Sequence, residues 1–156
     1  MEIRNATRDD VAAVVRLLAA DQLGAQREDA DGPLDPAYLD GFAAIDEDAN
    51  NRLVVLVDGD EVIGALQLTF IPSLTFRGGW RAQIEAVRVA ADRRGSGAGR
   101  RMLQWAIDTA RDHGCFLVQL TTNTQRRDAR RFYESLGFTA THLGMKLYLT
   151  GDVTGR

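Results

Sequence analysis

Residues Val87 to Leu103 read V-R-V-A-A-D-R-R-G-S-G-A-G-R-R-M-L, and the fold turns on this stretch. It follows an alternating apolar run, Ile84 to Val89, and leads into Leu103, Ala106, Ile107 and Ala110, spaced as one helix face. Between strand and helix stand Gly95, Gly97 and Gly99, with Arg93, Arg94, Arg100 and Arg101 around them. Glycine lets backbone approach a ligand closely, and a helix N-terminus offers N–H groups that lack an internal acceptor. Guanidinium groups add fixed positive charge suited to phosphate. Strand, glycine turn and helix together read as a cradle for pyrophosphate.

Two familiar phosphate-binding turns do not fit. A P-loop closes on Gly-Lys followed by Ser or Thr, and this chain has no such tripeptide. A dinucleotide fingerprint starting at Gly95 needs glycine at position 100, which is Arg100. The pattern present, R-G-x-G-x-G from Arg94 to Gly99, resembles motif A of the GNAT superfamily of N-acetyltransferases. Downstream, Ala129 to Phe138 reads A-R-R-F-Y-E-S-L-G-F and resembles that superfamily's motif B, A-x-x-F-Y-E-x-L-G-F. A glycine-rich turn alone is a weak signal. Two motifs in order, a helix and a strand apart, are a specific one.

Length and composition fit one domain over residues 1–150, with a loose tail over 151–156. A chain of 156 residues buries about two-thirds of its unfolded surface, enough for a single core. No apolar run is long enough to span a bilayer, and Met1-Glu2-Ile3-Arg4 has no signal-peptide pattern. One cysteine, Cys115, excludes an internal disulfide framework and suits a reducing cytoplasm. Lying in the apolar run Cys115-Phe116-Leu117-Val118, it reads as a buried, inert thiol. With two histidines widely spaced, no zinc pattern exists and no metal is expected.

The net charge of −3 hides an asymmetry. Residues 1–76 hold 15 acidic and 5 basic side chains, whereas residues 77–156 hold 7 acidic and 14 basic. The net sign argues against a nucleic-acid binder. The basic half contains both motifs, as a polyphosphate ligand requires. The acidic half is free to attract a cationic acceptor.

Taken in order, the chain predicts a strand from Glu2 to Ala6, then Thr7 as N-cap with Asp10 three residues on. Val11, Val14, Val15 and Leu18 form the apolar face of the next helix. Gly24 to Asp35 is a loop carrying Glu28, Asp29, Asp31 and Asp35. Asp35-Pro36 starts a second helix, to about Ile45. Leu53–Val57 and Glu61–Ile71 form a hairpin turning at Asp58-Gly59. After a loop from Ser73 to Gly79, Trp80 opens the strand that leads into the cradle. Cys115–Leu120 is a further strand, residues 124–136 a helix closed by Gly137, and Phe138–Thr141 with Met145–Thr150 a final strand pair. The sum is an α/β fold of mixed type, with a twisted central sheet flanked by helices and not doubly wound.

The resemblance implies more. It implies acetyl-coenzyme A as cosubstrate, a primary amine as acceptor, and a cleft where the motif A strand splays from its neighbour. A backbone N–H of Val87, Arg88 or Val89 would meet the thioester carbonyl. Those of Arg94, Gly95, Ser96, Gly97, Ala98, Gly99 and Arg100 would take the pyrophosphate. Tyr133, the motif B tyrosine, would protonate the leaving thiolate. Glu85, two residues before Val87 and so placed on its face, would relay the amine's proton through water, with Gln83 a second water ligand. Where motif B often has asparagine, this chain has Arg126. Asn123 is close but out of register, and Arg126 or Arg127 could reach a coenzyme phosphate. His113 and His142 each stand alone in polar, loop-like context and read as surface residues.

Two other readings stay open on sequence: a non-catalytic acyl-coenzyme A sensor, and an interaction module built on the arginine-rich helix. The pairing of Tyr133 with Glu85 argues for turnover. Neither a nucleic acid nor a membrane is an expected partner, a homodimer is compatible with the sequence, and the acceptor's identity is not encoded in it.

Overall fold

Alternation of branched apolar residues builds the sheet. The structure is a computed structural model that describes residues 1–20, 23–124 and 126–149, and for Arg127 its backbone alone. In Asn51–Asp58 (β2), Val54 and Leu56 are buried in one core while Val55 and Val57 are buried in another. A strand apolar on both faces must be covered on both.

Five strands do this in spatial order β1-β2-β3-β4-β5: Glu2–Asn5 (β1), β2, Glu61–Pro72 (β3), Trp80–Val89 (β4) and Cys115–Leu120 (β5). The first four are antiparallel, and β5 runs parallel to β4 because a helical crossover separates them. Val11–Ala19 (α1) and Pro36–Glu47 (α2) cover one face. A single turn, Thr75–Gly78 (α3), is left-handed, with φ 53° at Phe76 and 59° at Arg77. Ala98–Asp112 (α4) and Arg127–Glu134 (α5) cover the other face. The result is a single-domain α/β fold with a five-stranded mixed sheet between helices.

Helix α4 buries Ala98, Met102, Leu103, Ala106 and Ala110, the expected face extended toward the N-terminus, while Ile107 of that expected face is only half-buried. It sits close to the sheet at Gly64, where a Cβ would come within 2.6 Å of Met102 Sδ. Truncating Leu103 to Ala in so tight a layer costs about 2–5 kcal/mol.

Start signals operate as read. Asp35 Oδ1 accepts from Ala37 N–H at 2.9 Å, and Pro36 opens α2. Asp10 Oδ2 accepts from both N–H and Oγ1 of Thr7, at 2.7 and 2.9 Å. Arg4 then clasps the Asp10 carboxylate through two contacts of 2.7 and 3.0 Å. That clasp holds Asp10, which is 8 % exposed, at a pKa of about 2.

The C-terminal strands do not form. Phe138 packs on the core, but no strand is present beyond it among the described residues. Leu143, Met145, Leu147 and Leu149 are 94, 94, 85 and 90 % exposed. Apolar alternation specifies a strand only where an edge receives it, and among the described residues none does. Thr150 and the tail expected over 151–156 lie outside the described residues, as does Gln125 of the expected helix 124–136. That helix begins late, at Arg127, because Arg126 has non-helical φ −90° and ψ 66°. No helix among the described residues is long and apolar enough to cross a membrane.

Candidate functional site

Strands β4 and β5 pair from Trp80–Cys115 to Ile84–Leu120, and there the pairing stops. Beyond it β4 continues from Glu85 to Val89, bonded to β3 but, among the described residues, with no strand on its other side. The parting coincides with a β-bulge. Ala65 faces Arg88 and Gln67 faces Glu85, so Leu66 alone spans Ala86 and Val87. Ala86 takes φ 53°, a region uncommon for a residue with a Cβ.

The extra residue reverses the alternation of β4. Ala82 and Ile84 belong to the core under α4, and past the bulge Val87 and Val89 pack on that same core. Glu85 is left exposed on the opposite face. The placement of Glu85 and Val87 on one face is therefore corrected: the period of two holds only along an unbroken ladder.

The cradle follows directly. Ala91–Arg93 forms one 3-10 turn, then Gly95 and Gly97 take φ 79° and 89°. Gly97 immediately precedes α4, whose first internal bond runs from Arg101 N–H to the Gly97 carbonyl at 3.0 Å. The N–H groups of Ala98, Gly99 and Arg100 are the first-turn donors that a helix cannot satisfy itself. A Cβ added at Gly95 or Gly97 would meet nothing within 4 Å, so both border open space. One added at Gly99 would touch the Phe132 ring at 3.4 Å, so that glycine packs α4 against α5. Bare backbone donors beside open space fit a pyrophosphate.

The arginines divide. Arg93 turns back to the β2–β3 hairpin, 3.4 Å from both Asp58 and Glu61 carboxylates. Arg100 donates to Ser135 Oγ at 2.9 Å, tying the start of α4 to the end of α5. Arg94 is exposed at the mouth of the turn, and Ser96 Oγ donates to the Arg93 carbonyl at 2.6 Å. The side chains of Arg93 and Arg100 thus hold the turn's frame, and its glycine backbone borders open space.

Tyr133 is half-buried on α5, tilted against Phe132 at 5.5 Å and edge-on to Phe138 at 6.1 Å. Burial raises its pKa, and the charges of Arg88 and Arg126 pull the other way. Tyr133, Arg88 and Arg126 are thus brought together. Arg88 Nη1 donates to the Val87 carbonyl at 2.9 Å, and Arg126 N–H to the Asn123 carbonyl at 2.9 Å. Asn123 itself is exposed.

On the Glu85 face the register assembles something the sequence reading missed. Asn51, Thr69, Gln83 and Gln119 are direct neighbours in one row across four strands. Thr69 Oγ1 and Gln67 Nε2 both donate to Asn51 Oδ1, at 2.6 and 3.1 Å, and Gln119 Nε2 donates to Gln83 Oε1 at 2.7 Å. Polar residues at alternate positions of apolar strands were the available signal. The acidic loop folds onto α2: the Tyr38 hydroxyl donates to Glu28 at 3.1 Å and accepts from Asp29 N–H at 2.9 Å.

Two residues, His113 and Cys115, depart from expectation in smaller ways, whereas His142 is exposed as expected. His113 is exposed but not alone, stacked on Phe70 at 3.9 Å and edge-on to Trp80 at 5.1 Å. His142 is exposed and shares a 2.8 Å hydrogen bond with Thr141 Oγ1. Cys115 is half-buried rather than sealed, and desolvation pushes its thiol pKa up.

Comparison with known proteins agrees with this geometry. The chain is 34 % identical over 144 residues to the aminoalkylphosphonate N-acetyltransferase of Salmonella typhimurium, covering 90 % of this chain and 86 % of that protein. Among solved structures, a transcriptional regulator from Bacillus halodurans C-125 superposes with TM-score 0.92 at 48 % identity, over 95 % of this chain and 99 % of the other. An acetyltransferase from Trypanosoma brucei superposes with TM-score 0.78 at 27 % identity, over 95 and 99 %. Residues 14–138 match the model of the acetyltransferase (GNAT) family. With cleft, cradle and motif B in that order along the matched region, the chain belongs to the GNAT family of acetyl-coenzyme A-dependent acetyltransferases.

Proposed function

We propose that this protein moves an acetyl group from acetyl-coenzyme A to the primary amine of a small acceptor, directly, within a ternary complex. The observation that carries this reading is the parting of β4 from β5 at Ile84–Leu120, one strand-length ahead of the glycine cradle. Pyrophosphate on the N–H groups between Arg94 and Arg100 sends the pantetheine arm along the freed edge of β4. There a backbone N–H of Val87 to Val89 stabilises the oxyanion as the amine attacks. Asn123 and Arg126 contact the arm or a phosphate.

Proton handling divides across the sheet. Glu85, on the exposed face, takes the ammonium proton through water. Tyr133, on the α5 side, gives a proton to the departing thiolate. The bulge at Ala86 is what separates base from acid. Burial keeps the tyrosine hydroxyl protonated where donation needs it.

For the acceptor, the acidic loop with Glu28, Asp29, Asp31 and Asp35 favours an ammonium group. The Salmonella relative acts on aminoalkylphosphonates, so this acceptor class heads the test. The single thiol, Cys115, fits work in a reducing cytoplasm. Purified protein with acetyl-coenzyme A should release free thiol with aminoalkylphosphonates, with plain alkylamines, or with a peptide N-terminus. Tight coenzyme A binding with no turnover across that panel would turn the reading into a sensor. No binding at all would end it.

A further inference from the structure

Strand β4 carries, on the Glu85 face, a positive charge set between apolar neighbours. Arg81, Gln83 and Glu85 stand at alternate positions ahead of the bulge, opposite the core-facing Ala82 and Ile84. Arg81 is half-buried, and its partners across the sheet are Ile71 on β3 and Leu117 on β5. Among the described residues no carboxylate pairs with it and no acceptor takes its N–H groups. A guanidinium is all donor and keeps its charge, so a half-buried one calls for an acceptor.

Gln83 adds to that demand. Its Oε1 is taken by Gln119 Nε2 at 2.7 Å, which leaves its own amide N–H groups as donors with no acceptor among the described residues. Arg81 and Gln83 thus place donors in search of an acceptor roughly 7 Å apart along one strand face. Two residues further, Glu85 presents an exposed carboxylate. Among the described residues none of β4 or β5 belongs to the apolar cluster beneath α1 and α2, and Gln83, Glu85 and Gln119 all keep contact with solvent.

Given the acetyl transfer proposed above, we infer that the acceptor carries an oxyanion as well as its amine, and that Arg81 with Gln83 binds that oxyanion. The order of charge along β4 sets the polarity of binding. Glu85 repels the anion and draws the ammonium toward the parted end of the strand, while Arg81 holds the other end of the molecule, roughly 13 Å back along the backbone. A separation of that size suits an amine and an anion joined by a carbon chain, not borne on one carbon. Ile71 and Leu117 flank the guanidinium and lower the local dielectric, which strengthens its pairing. Carboxylate and phosphonate share this chemistry.

Three amines with the same three-carbon arm test this by thiol release: γ-aminobutyrate, aminopropylphosphonate and uncharged-tailed butylamine. At least one of the anionic pair should exceed butylamine in kcat/KM by roughly 10–100-fold, the worth of a hydrogen bond to a charged group. Which of the two leads tells a carboxylate acceptor from a phosphonate one. Arg81→Met should remove that preference through KM, leaving kcat, the KM for acetyl-coenzyme A and the rate with butylamine near their original values. Arg81→Lys should restore part of it. Butylamine used as well as both anionic amines, or a loss in Arg81→Met that is equal for all three, overturns the inference while acetyl transfer stands. Release from none of the three overturns it as well, and the peptide N-terminus and coenzyme A binding then tell whether the acetyl-transfer reading fails with it. Should Arg81→Met fail to fold, Gln83→Leu decides: a lowered preference supports the donor pair, and an unchanged one overturns it.

Discussion

Glu85 and Val87 are two residues apart and project to opposite faces of β4, because Ala86 between them sits at φ 53°. A residue with a Cβ in that region is strained, and a β-branched one more so. Ala86→Gly should therefore leave thermal stability unchanged or slightly raised. Ala86→Val should lose about 1–3 kcal/mol and most acetyl transfer, as the bulge relaxes and Glu85 is re-aimed. Thermal unfolding and kcat/KM on the two variants check this; equal stability in both would mean that the bulge is not strained.

At the cradle, Gly97→Glu places a carboxylate beside the pyrophosphate site and a side chain on backbone at φ 89°. Coenzyme A binding should be lost. The unaltered protein, with ligand at a hundredfold its dissociation constant, should gain about 2.7 kcal/mol of apparent stability. Calorimetry and thermal shift read both, and an unresponsive wild type would remove the pyrophosphate assignment.

Tyr133→Phe keeps the ring against Phe132 and Phe138 and deletes only the hydroxyl. Turnover should fall by roughly 10²–10⁴ with coenzyme A affinity hardly altered. Since burial raises the tyrosine pKa, the wild-type rate should show no alkaline fall from this group below about pH 10. Full activity in the variant would leave Tyr133 as a packing residue.

Glu85→Gln keeps size and removes the base. Its activity should drop most near neutral pH and recover partly at high pH, where more of the amine is already deprotonated. The Tyr133→Phe enzyme should show no such rescue. Rate–pH profiles of the two variants separate the roles, and an unchanged profile for Glu85→Gln reduces it to a surface carboxylate.

Asp10 gives a stability prediction. Hydrogen bonds from Arg4 hold its folded pKa near 2, below the unfolded value of 3.8, so the native state gains stability above pH 4. That gain, on the order of 1–2 kcal/mol, should vanish as pH falls from about 4 to 2. Asp10→Asn should flatten this part of the acid-unfolding curve; an unaltered curve would show the clasp to be energetically silent.

Much of the site was legible because its signals are local. Glycines at 95, 97 and 99 sit between a period-two run and a period-3.6 run, and each pattern reports on its own few residues. The bulge at Ala86 was not legible, since no glycine marks it and alanine there is held by the partner strand. The row from Asn51 to Gln119 needed register, a relation between residues up to 68 apart. The same limit explains the C-terminal segment, whose alternation reads as a strand pair that does not form: a strand needs an edge to receive it, and that is a non-local condition. Asp10 was recognised as a cap, but the neighbour that charges it most strongly, Arg4, lies on a different element.

Arg93 precedes the glycine turn and points away from it, reaching Asp58 and Glu61 at the tip of the β2–β3 hairpin. The cradle is thereby a lever whose far end rests on a two-residue turn some 30 positions earlier in the chain. Lengthening that hairpin would shift the fulcrum and detune cosubstrate affinity without touching any residue in the cleft. Under the pyrophosphate assignment proposed above, this hairpin is a place where a change outside the cleft is coupled to the donor substrate.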